Sequence, residues 1–251
     1  MFLKFNLDFE HNLFDELSNT IKFDNITKGR KGAILVDIQN NLVPLVRSST
    51  SYNLAPQKFT STHHHVIEQI KKINNELDLQ FNNAMIEIYT SEYRTMGYHS
   101  DQSQDLHNDS YVCIFSCYNN SNNSSDLRKL IIKDKITQEE SEIILEHNSC
   151  VLFSLSTNKK YLHRIILDNN TSDKSYLWLG ITFRLSKTLI NFVDGTPYFT
   201  NPGSLPRILR LANDKEKMEF YKLRSNENKQ IEFTYPEIDY TISKSDLLQI
   251  S

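Results

Sequence analysis

A run of short strand-like segments between residues 83 and 186 constrains the fold of this chain most strongly. Each segment is rich in β-branched, aromatic and aliphatic residues, and turn sequences rich in Asn, Ser, Asp and Lys separate them. No long helical pattern interrupts the run, which indicates an antiparallel sandwich, a barrel or a jelly roll. The segments cover 83–90, 110–118, 128–133, 141–146, 149–155, 161–167 and 176–186.

Helical patterns lie on either side of this run. Apolar residues at helical spacing predict one helix within residues 8–21 and a second over 61–77, the second capped by Ser61 or Thr62. The three histidines at 63–65 are consecutive on that helix, so they point in different directions and cannot share one metal ion. A further helix is expected within residues 207–233.

Length and charge limit the domain organisation. The 251 residues fit one domain with appended elements. We predict an N-terminal extension over residues 1–30, a core domain over 31–200 and a C-terminal extension over 201–251 that packs on the core. The net charge of −3 creates no overall positive field for nucleic acid, although a local basic face stays open.

The cysteines and the N-terminus predict the compartment. Cys113, Cys117 and Cys150 are odd in number, lack C-x-x-C spacing and lie in apolar runs, which favours buried free thiols in a reducing environment. Charges interrupt the first apolar run, as they do not in a signal peptide, and no apolar run is long enough to span a membrane. We therefore expect a soluble intracellular protein, cytoplasmic or nuclear, with no membrane partner.

A His-x-Asp pair, His99 and Asp101, follows the end of a predicted strand beside Gly97. Alone it would be read as a polar turn that caps its own backbone. However, His163 lies sixty-two residues after Asp101, in a later strand. Two histidines and one carboxylate form the facial triad of non-heme Fe(II) oxygenases, which leaves metal positions open for other ligands.

Arg184 supplies the complementary charge. It lies in an apolar strand segment twenty-one residues after His163, where a buried guanidinium without an anion would be very costly. 2-Oxoglutarate can chelate a metal through its C1 carboxylate and C2 ketone, and an arginine can bind a carboxylate with two hydrogen bonds. Ser186 is two residues further on, on the same face of the strand.

In this order, "HSD" (99–101), "YLHRI" (161–165) and "ITFRLS" (181–186) resemble the AlkB-like branch of the Fe(II)/2-oxoglutarate dioxygenases. The resemblance covers roughly residues 30 to 190. It implies a mainly β (α+β) fold, with a double-stranded β-helix (jelly-roll) core and flanking helices.

The resemblance also implies the roles of individual residues. His99, Asp101 and His163 would hold Fe(II), with 2-oxoglutarate and O2 as cosubstrates. Arg184 would pair one carboxylate of 2-oxoglutarate, and Tyr89 would donate a hydrogen bond to it. A second register makes Arg184 and Ser186 the Arg-x-Ser anchor that is found across the wider superfamily. No catalytic residue is expected beyond the metal and cosubstrate ligands.

Two positions depart from the AlkB-like pattern. Glu87 stands where the family usually has Asn, and Trp178 stands where it usually has the first of two arginines, six residues before Arg184. Either Arg184 acts alone or a nearby side chain replaces the missing arginine. The candidates for that replacement are Arg164, Lys174 and Tyr161.

The resemblance implies an enzyme that couples oxidative decarboxylation of 2-oxoglutarate to hydroxylation of a substrate C–H. An N-alkylated nucleic-acid base, in DNA or RNA, is the favoured substrate, and its demethylation would release formaldehyde. A lid that stacks on bases and binds phosphate is expected from Arg47, Tyr52, Lys58 and Phe59. The alternatives are a protein side-chain hydroxylase and a non-catalytic jelly-roll binding module.

Overall fold

A computed structural model describes residues 1–121, 126–168, 175–200 and 207–250. Parts of the loops predicted at 119–126 and 168–175, including Lys174, lie outside these ranges. Within them the helices are α1 (Phe14–Asn19), α2 (Ser61–Ile73), α3 (Leu155–Lys160) and α4 (Asp214–Lys229), with a 3-10 helix over Lys244–Leu247. The strands are β1 (Phe2–Asn6), β2 (Asp24–Thr27), β3 (Arg30–Val36), β4 (Val43–Leu45), β5 (Gln57–Lys58), β6 (Asn83–Tyr89), β7 (Tyr111–Tyr118), β8 (Arg128–Asp134), β9 (Glu140–Leu145), β10 (Ser149–Ser154), β11 (Tyr161–Ile166), β12 (Trp178–Arg184), β13 (Thr188–Val193), β14 (Thr196–Phe199), β15 (Arg207–Ile208), β16 (Arg210–Leu211) and β17 (Tyr240–Thr241).

The largest sheet has the strand order β1-β10-β7-β12-β6-β3-β2, and β5 adds to β3 in parallel. Side chains alternate across it, as a strand geometry requires. On β12, Leu179, Ile181 and Phe183 enter one apolar core, whereas Trp178 enters another on the opposite face. The large sheet is therefore buried on both faces.

One face of the large sheet is covered by α1 and α2. Leu17 from α1 and Ile70 from α2 are fully buried in this core, which contains the free cysteines Cys113, Cys117 and Cys150. Helix α2 begins after Thr60, one residue earlier than the predicted caps. The Thr60 N–H donates to His63 Nδ1 (3.0 Å), so a reciprocal cap with His63 decides where the helix begins.

A three-stranded sheet, β11-β8-β9, covers the other face. Leu130, Ile132 and Ile165 of this sheet share a core with Val112 and Ile114 of the large sheet. The predicted mainly β fold, a jelly-roll sandwich with flanking helices, is confirmed. The seven predicted strands correspond to β6–β12, each within a few residues.

Several elements were not predicted. Helix α3 occupies a segment read as a turn, and a four-stranded sheet, β15-β14-β13-β4, closes one end of the sandwich. Strand β1 pairs with β10, so the first residues extend the large sheet. The domain boundaries at residues 31 and 201 stay a prediction. No helix in the described ranges combines the length and apolar character needed to cross a membrane.

Candidate metal centre

His99 and His163 meet at the open end of the sandwich through their backbones. His163 lies on β11, and His99 pairs with it as an isolated antiparallel bridge. The His99 N–H donates to the His163 carbonyl (3.0 Å), and the His163 N–H donates to the His99 carbonyl (2.7 Å). This pairing holds the two imidazole rings with centroids 4.7 Å apart.

Asp101 completes a cluster whose possible ligand atoms all lie within 4.8 Å of one another. Asp101 Oδ2 and His163 Nδ1 are buried and have no hydrogen-bond partner among the described residues. His99 Nδ1–H donates to the Gly97 carbonyl (3.0 Å), which leaves Nε2 as the free ligand atom. Unpaired buried ligand atoms converging on one point fit a divalent metal ion.

The electrostatic surroundings favour the metal-binding protonation states. Burial lowers the pKa of His163 to about 3, and the neighbouring His99 adds to this effect. Burial also lowers the pKa of His99. Burial alone would raise the pKa of Asp101, but its electrostatic interactions with His163 and Arg184 outweigh it and lower that pKa. Neutral imidazoles and an ionised carboxylate are the forms that bind metals.

Asn158 positions Asp101 from outside the cluster. This residue of α3 is almost fully buried. Its Oδ1 accepts from the Asp101 N–H (2.8 Å), and its Nδ2 donates to the Asp101 carbonyl (2.8 Å). The short helix that precedes β11 therefore fixes the backbone of a ligand that lies fifty-seven residues earlier.

Helix α4 also contacts the metal-binding turn. Asn228 Oδ1 accepts from the Ser100 N–H (3.0 Å), Arg224 Nη2 donates to the Ser100 carbonyl (2.8 Å), and Glu227 Oε1 accepts from the Ser103 N–H (2.9 Å). The Arg224 and Glu227 side chains form a buried ion pair. Only the i,i+3 spacing of this pair was visible in the sequence, and it carried no sign of contact with residues 100–103.

Beside the ligand cluster is a cavity of about 340 Å³ that His99, Asp101 and Arg184 line. The Arg184 side chain is 3% exposed, and its Nε and Nη2 find no partner among the described residues. A buried guanidinium without a carboxylate is costly unless an anion joins it. The residues present therefore fit a carboxylate ligand next to the metal.

Comparison with known families decides the class of this site. A model of the 2OG-Fe(II) oxygenase superfamily matches residues 39–184, more than half of the chain. The chain belongs to that superfamily. It is thus a dioxygenase of the type that depends on Fe(II) and 2-oxoglutarate, with O2 as the second cosubstrate, and the predicted enzyme class is confirmed.

Similarity to solved structures is weaker. The solved structure of OsALKBH1 is 15% identical, with a TM-score of 0.44 over 62% of this chain and 78% of that one. No curated protein gives a significant match. The family assignment therefore depends on the superfamily match.

Two residues predicted to contact 2-oxoglutarate already have hydrogen-bond partners within the protein. The Tyr89 hydroxyl donates to the Glu87 carboxylate, and one hydroxyl proton cannot serve Glu87 and a cosubstrate at once. The Ser186 hydroxyl lies within hydrogen-bond distance of the Leu45 (2.5 Å) and Thr188 (2.9 Å) carbonyls and does not line the cavity. It orders the chain after β12.

Trp178, at the position of the missing arginine, is buried against Tyr89 with ring centroids 4.8 Å apart. Its ring folds back along β12 and covers Gly180, where any added Cβ would overlap it. Among the proposed substitutes, Arg164 stacks on Tyr98 (4.3 Å) and Tyr161 packs on Phe2 (5.6 Å). Neither lines the cavity.

Arg128, whose role no sequence pattern indicates, is 2% exposed and lies against the Tyr89 and Trp178 rings. Its guanidinium donates to the Tyr93 (2.9 Å) and Thr90 (2.8 Å) carbonyls. It therefore supports the chain that leads to the metal-binding turn and is not available to a cosubstrate in the cavity.

The predicted lid is wrong for three of its four residues. Tyr52 is 1% exposed, Phe59 packs on Phe183, and Arg47 forms a buried bidentate pair with Asp105. Lys58 alone of the four is exposed. Aromatic and basic residues in a polar stretch suggested a surface loop, but the end of the sandwich buries them.

Proposed function

We propose that His99, Asp101 and His163 hold Fe(II), that Arg184 binds a carboxylate of 2-oxoglutarate, and that the enzyme hydroxylates a substrate C–H. One observation carries this proposal. His99, Asp101 and His163 converge within 4.8 Å of one another, and the first two line a cavity together with the buried guanidinium of Arg184, which has no acidic partner among the described residues. The three metal ligands lack a cation, which Fe(II) would supply. Arg184 lacks an anion, which a carboxylate of 2-oxoglutarate would supply.

The bound iron and 2-oxoglutarate would supply the oxidising chemistry. The chain contributes position and protonation. Gly97 fixes the tautomer of His99, Asn158 fixes the backbone of Asp101, and Arg184 neutralises an anion beside them. Met85 and Met96 contribute apolar surface to the same cavity.

We also propose an N-alkylated nucleic-acid base as the substrate. A groove of about 680 Å³ borders the metal-binding turn at Ser103. Lys159 and Lys187 line it with the aromatic rings of Phe199, Phe233 and Tyr235, whereas Arg207, also in the lining, pairs with Glu237 (2.6 Å). Cations that can neutralise phosphates, interleaved with rings that can stack on bases, suit a single strand of nucleic acid.

An intracellular compartment stays a prediction.

The first experiment tests the site without knowledge of the substrate. Fe(II) and then 2-oxoglutarate are added anaerobically, and the metal-to-ligand charge-transfer band is recorded. We expect the band in the native protein, its loss in His163→Ala, and a need for at least about tenfold more 2-oxoglutarate in Arg184→Ala. Arg210→Ala, which removes an exposed arginine, is the control. Absence of the band from metal-loaded native protein would refute the proposal.

A second experiment tests the substrate. Substrate-dependent succinate formation is measured with an N-methylated single-stranded oligonucleotide and with a peptide mixture, and formaldehyde release is followed with the oligonucleotide. We expect turnover of the oligonucleotide, binding that weakens steeply with salt, and a higher KM in a Lys159→Ala/Lys187→Ala variant. Lys215→Ala/Lys222→Ala, with two exposed lysines of α4 removed, is the charge-matched control. Turnover of peptide alone would instead identify a protein hydroxylase.

A further inference from the structure

Four arginines line the cavity beside the metal ligands, and three of them already have an acidic partner. Arg47 pairs with Asp105 (2.7 Å). Arg224 pairs with Glu227, and Arg30 pairs with Glu87. Among the residues that the structure describes, Arg184 is the one arginine of the four with no acidic partner. The cavity therefore offers one uncommitted cation to an incoming anion.

Glu87 differs from the other two acids because it lines the cavity itself. Arg30 Nε donates to Glu87 Oε1 (2.7 Å), and the Tyr89 hydroxyl donates to Oε2. The Glu87 side chain is 6% exposed, and that of Arg30 is 15% exposed. A guanidinium and a phenol around one carboxylate are the donors that a ligand carboxylate would need, and Glu87 occupies both.

The sheet makes room for this carboxylate. Glu87 on β6 lies between Gly32 on β3 and Gly180 on β12, so neither neighbour has a side chain on that face. A Cβ at Gly32 would lie 3.5 Å from Glu87 Cγ. The Tyr52 side chain covers Gly32 and the Trp178 ring covers Gly180, so these two side chains enclose Glu87 on the sides of its two neighbouring strands. The Glu87 carboxylate is thus held inside a walled subsite of the cavity.

2-Oxoglutarate brings two carboxylates into this space. The metal would chelate the C1 carboxylate and Arg184 would take the C5 carboxylate. That C5 carboxylate shares the cavity with the Glu87 carboxylate, and the next cation, Arg30, is already neutralised by Glu87. Two carboxylates close together in a poorly solvated site repel each other strongly. A short 2-oxo acid has a single carboxylate, which the metal chelates, so it places no second carboxylate near Glu87.

We propose that Glu87 sets the cosubstrate preference of the oxygenase. Because Glu87 occupies Arg30 and Tyr89, the affinity for 2-oxoglutarate is lowered. The difference in affinity between 2-oxoglutarate and 2-oxo acids that have a single carboxylate is therefore small. The proposal rests on the proposed function, since it requires a 2-oxo acid to bind beside the metal. It concerns the far end of that ligand and not the chelated end.

The test measures binding rather than turnover. Dissociation constants of 2-oxoglutarate and pyruvate are obtained anaerobically from the charge-transfer band of Fe(II)-loaded protein. We expect the two constants of the native protein to lie within about tenfold of each other. In Glu87→Gln, 2-oxoglutarate should bind at least about tenfold more tightly, with pyruvate changed by less than about twofold.

Two further variants keep the test decisive. Glu142→Gln removes one negative charge from an exposed pair and should change neither constant. Arg30→Gln leaves Glu87 without its cation and should weaken 2-oxoglutarate more than pyruvate. Melting curves establish that each variant is folded.

The outcomes separate the two proposals. A strong preference for 2-oxoglutarate in the native protein, unchanged in Glu87→Gln and Arg30→Gln, would overturn the role of Glu87 and leave the proposed function standing. Absence of a band with either 2-oxo acid would overturn both. A gain in 2-oxoglutarate affinity confined to Glu87→Gln would support both.

Discussion

His99 and His163 exchange both of their backbone hydrogen bonds, at 3.0 and 2.7 Å, although sixty-four positions separate them in the chain. The bridge ties the loop after β6 to strand β11 at the point where both imidazoles are needed. Because the backbone sets their separation, the two rings are already adjacent without a metal ion. A preformed site of this kind favours binding, because less conformational entropy is lost.

Metal binding should stabilise the fold through these histidines. An ion that binds only the folded state adds about 3 kcal/mol to the free energy of unfolding at a concentration one hundred times its Kd. We expect Co(II) to raise the melting temperature of the native protein but not that of His163→Gln. His107→Gln, at an exposed position, should keep the native response. An equal shift in His163→Gln would place the metal elsewhere.

Asn158 should matter for metal affinity although it is not a ligand. Asn158→Ala removes two hydrogen bonds to the Asp101 backbone, each worth about 1 kcal/mol. We expect Co(II) affinity to fall by about tenfold or more, as measured by the visible absorption of the bound ion. Asn191→Ala, on β13, is the control and should bind Co(II) as the native protein does. Unchanged affinity in Asn158→Ala would show that Asp101 is held without it.

Arg128 should contribute to stability and not to cosubstrate binding. Arg128→Met leaves the buried Thr90 and Tyr93 carbonyls without their donor, at a cost of about 2–4 kcal/mol. Burial already lowers the Arg128 pKa to about 10, the opposite of what an acidic partner would do. Urea unfolding should show the loss, whereas Lys129→Met should change little. Native stability in Arg128→Met would contradict this account.

The N-terminus of α2 should be sensitive to acid. Burial lowers the His63 pKa to about 4 from 6.5, and its Nδ1 accepts from the Thr60 N–H. Between these two pH values the unfolded chain binds more protons at His63 than the folded chain does. The contribution of neutral His63 to the free energy of unfolding is therefore fully present above pH 6.5 and is lost as the pH falls through 4.

The matched variant is His63→Gln, which keeps an acceptor for the Thr60 N–H but does not titrate. Urea unfolding at pH 7.5 and pH 4.5 compares it with the native protein. We expect the native protein to lose about 3 kcal/mol more over that range than the variant, at about 1.4 kcal/mol per pKa unit. Parallel pH profiles would show that His63 does not titrate as described.

The strands are predicted from the alternation of residues along the chain, and the ligands are predicted from the order of residue types. The alternation within β6–β12 and the turns between those strands are properties of neighbouring residues, and the structure agrees with them. The order of His99, Asp101, His163 and Arg184 is equally visible, and the structure brings the first three together beside a cavity that Arg184 lines. In contrast, α3 was read as a turn, because its six residues carry little helical pattern and gain their order from the strands on either side.

The sequence by itself determined the strand pattern, because periodicity is a local property, and it indicated the metal ligands and Arg184 through the order in which these residue types resemble a known family. Only the tertiary structure decided which charges are already used. Arg30 and Arg47 pair with acids 57 and 58 residues away, and no local pattern identifies such partners. Likewise, α4 reaches the metal-binding turn from 124 residues further along the chain. Non-local pairing of buried charges is settled by packing, since burial is what makes each partner necessary.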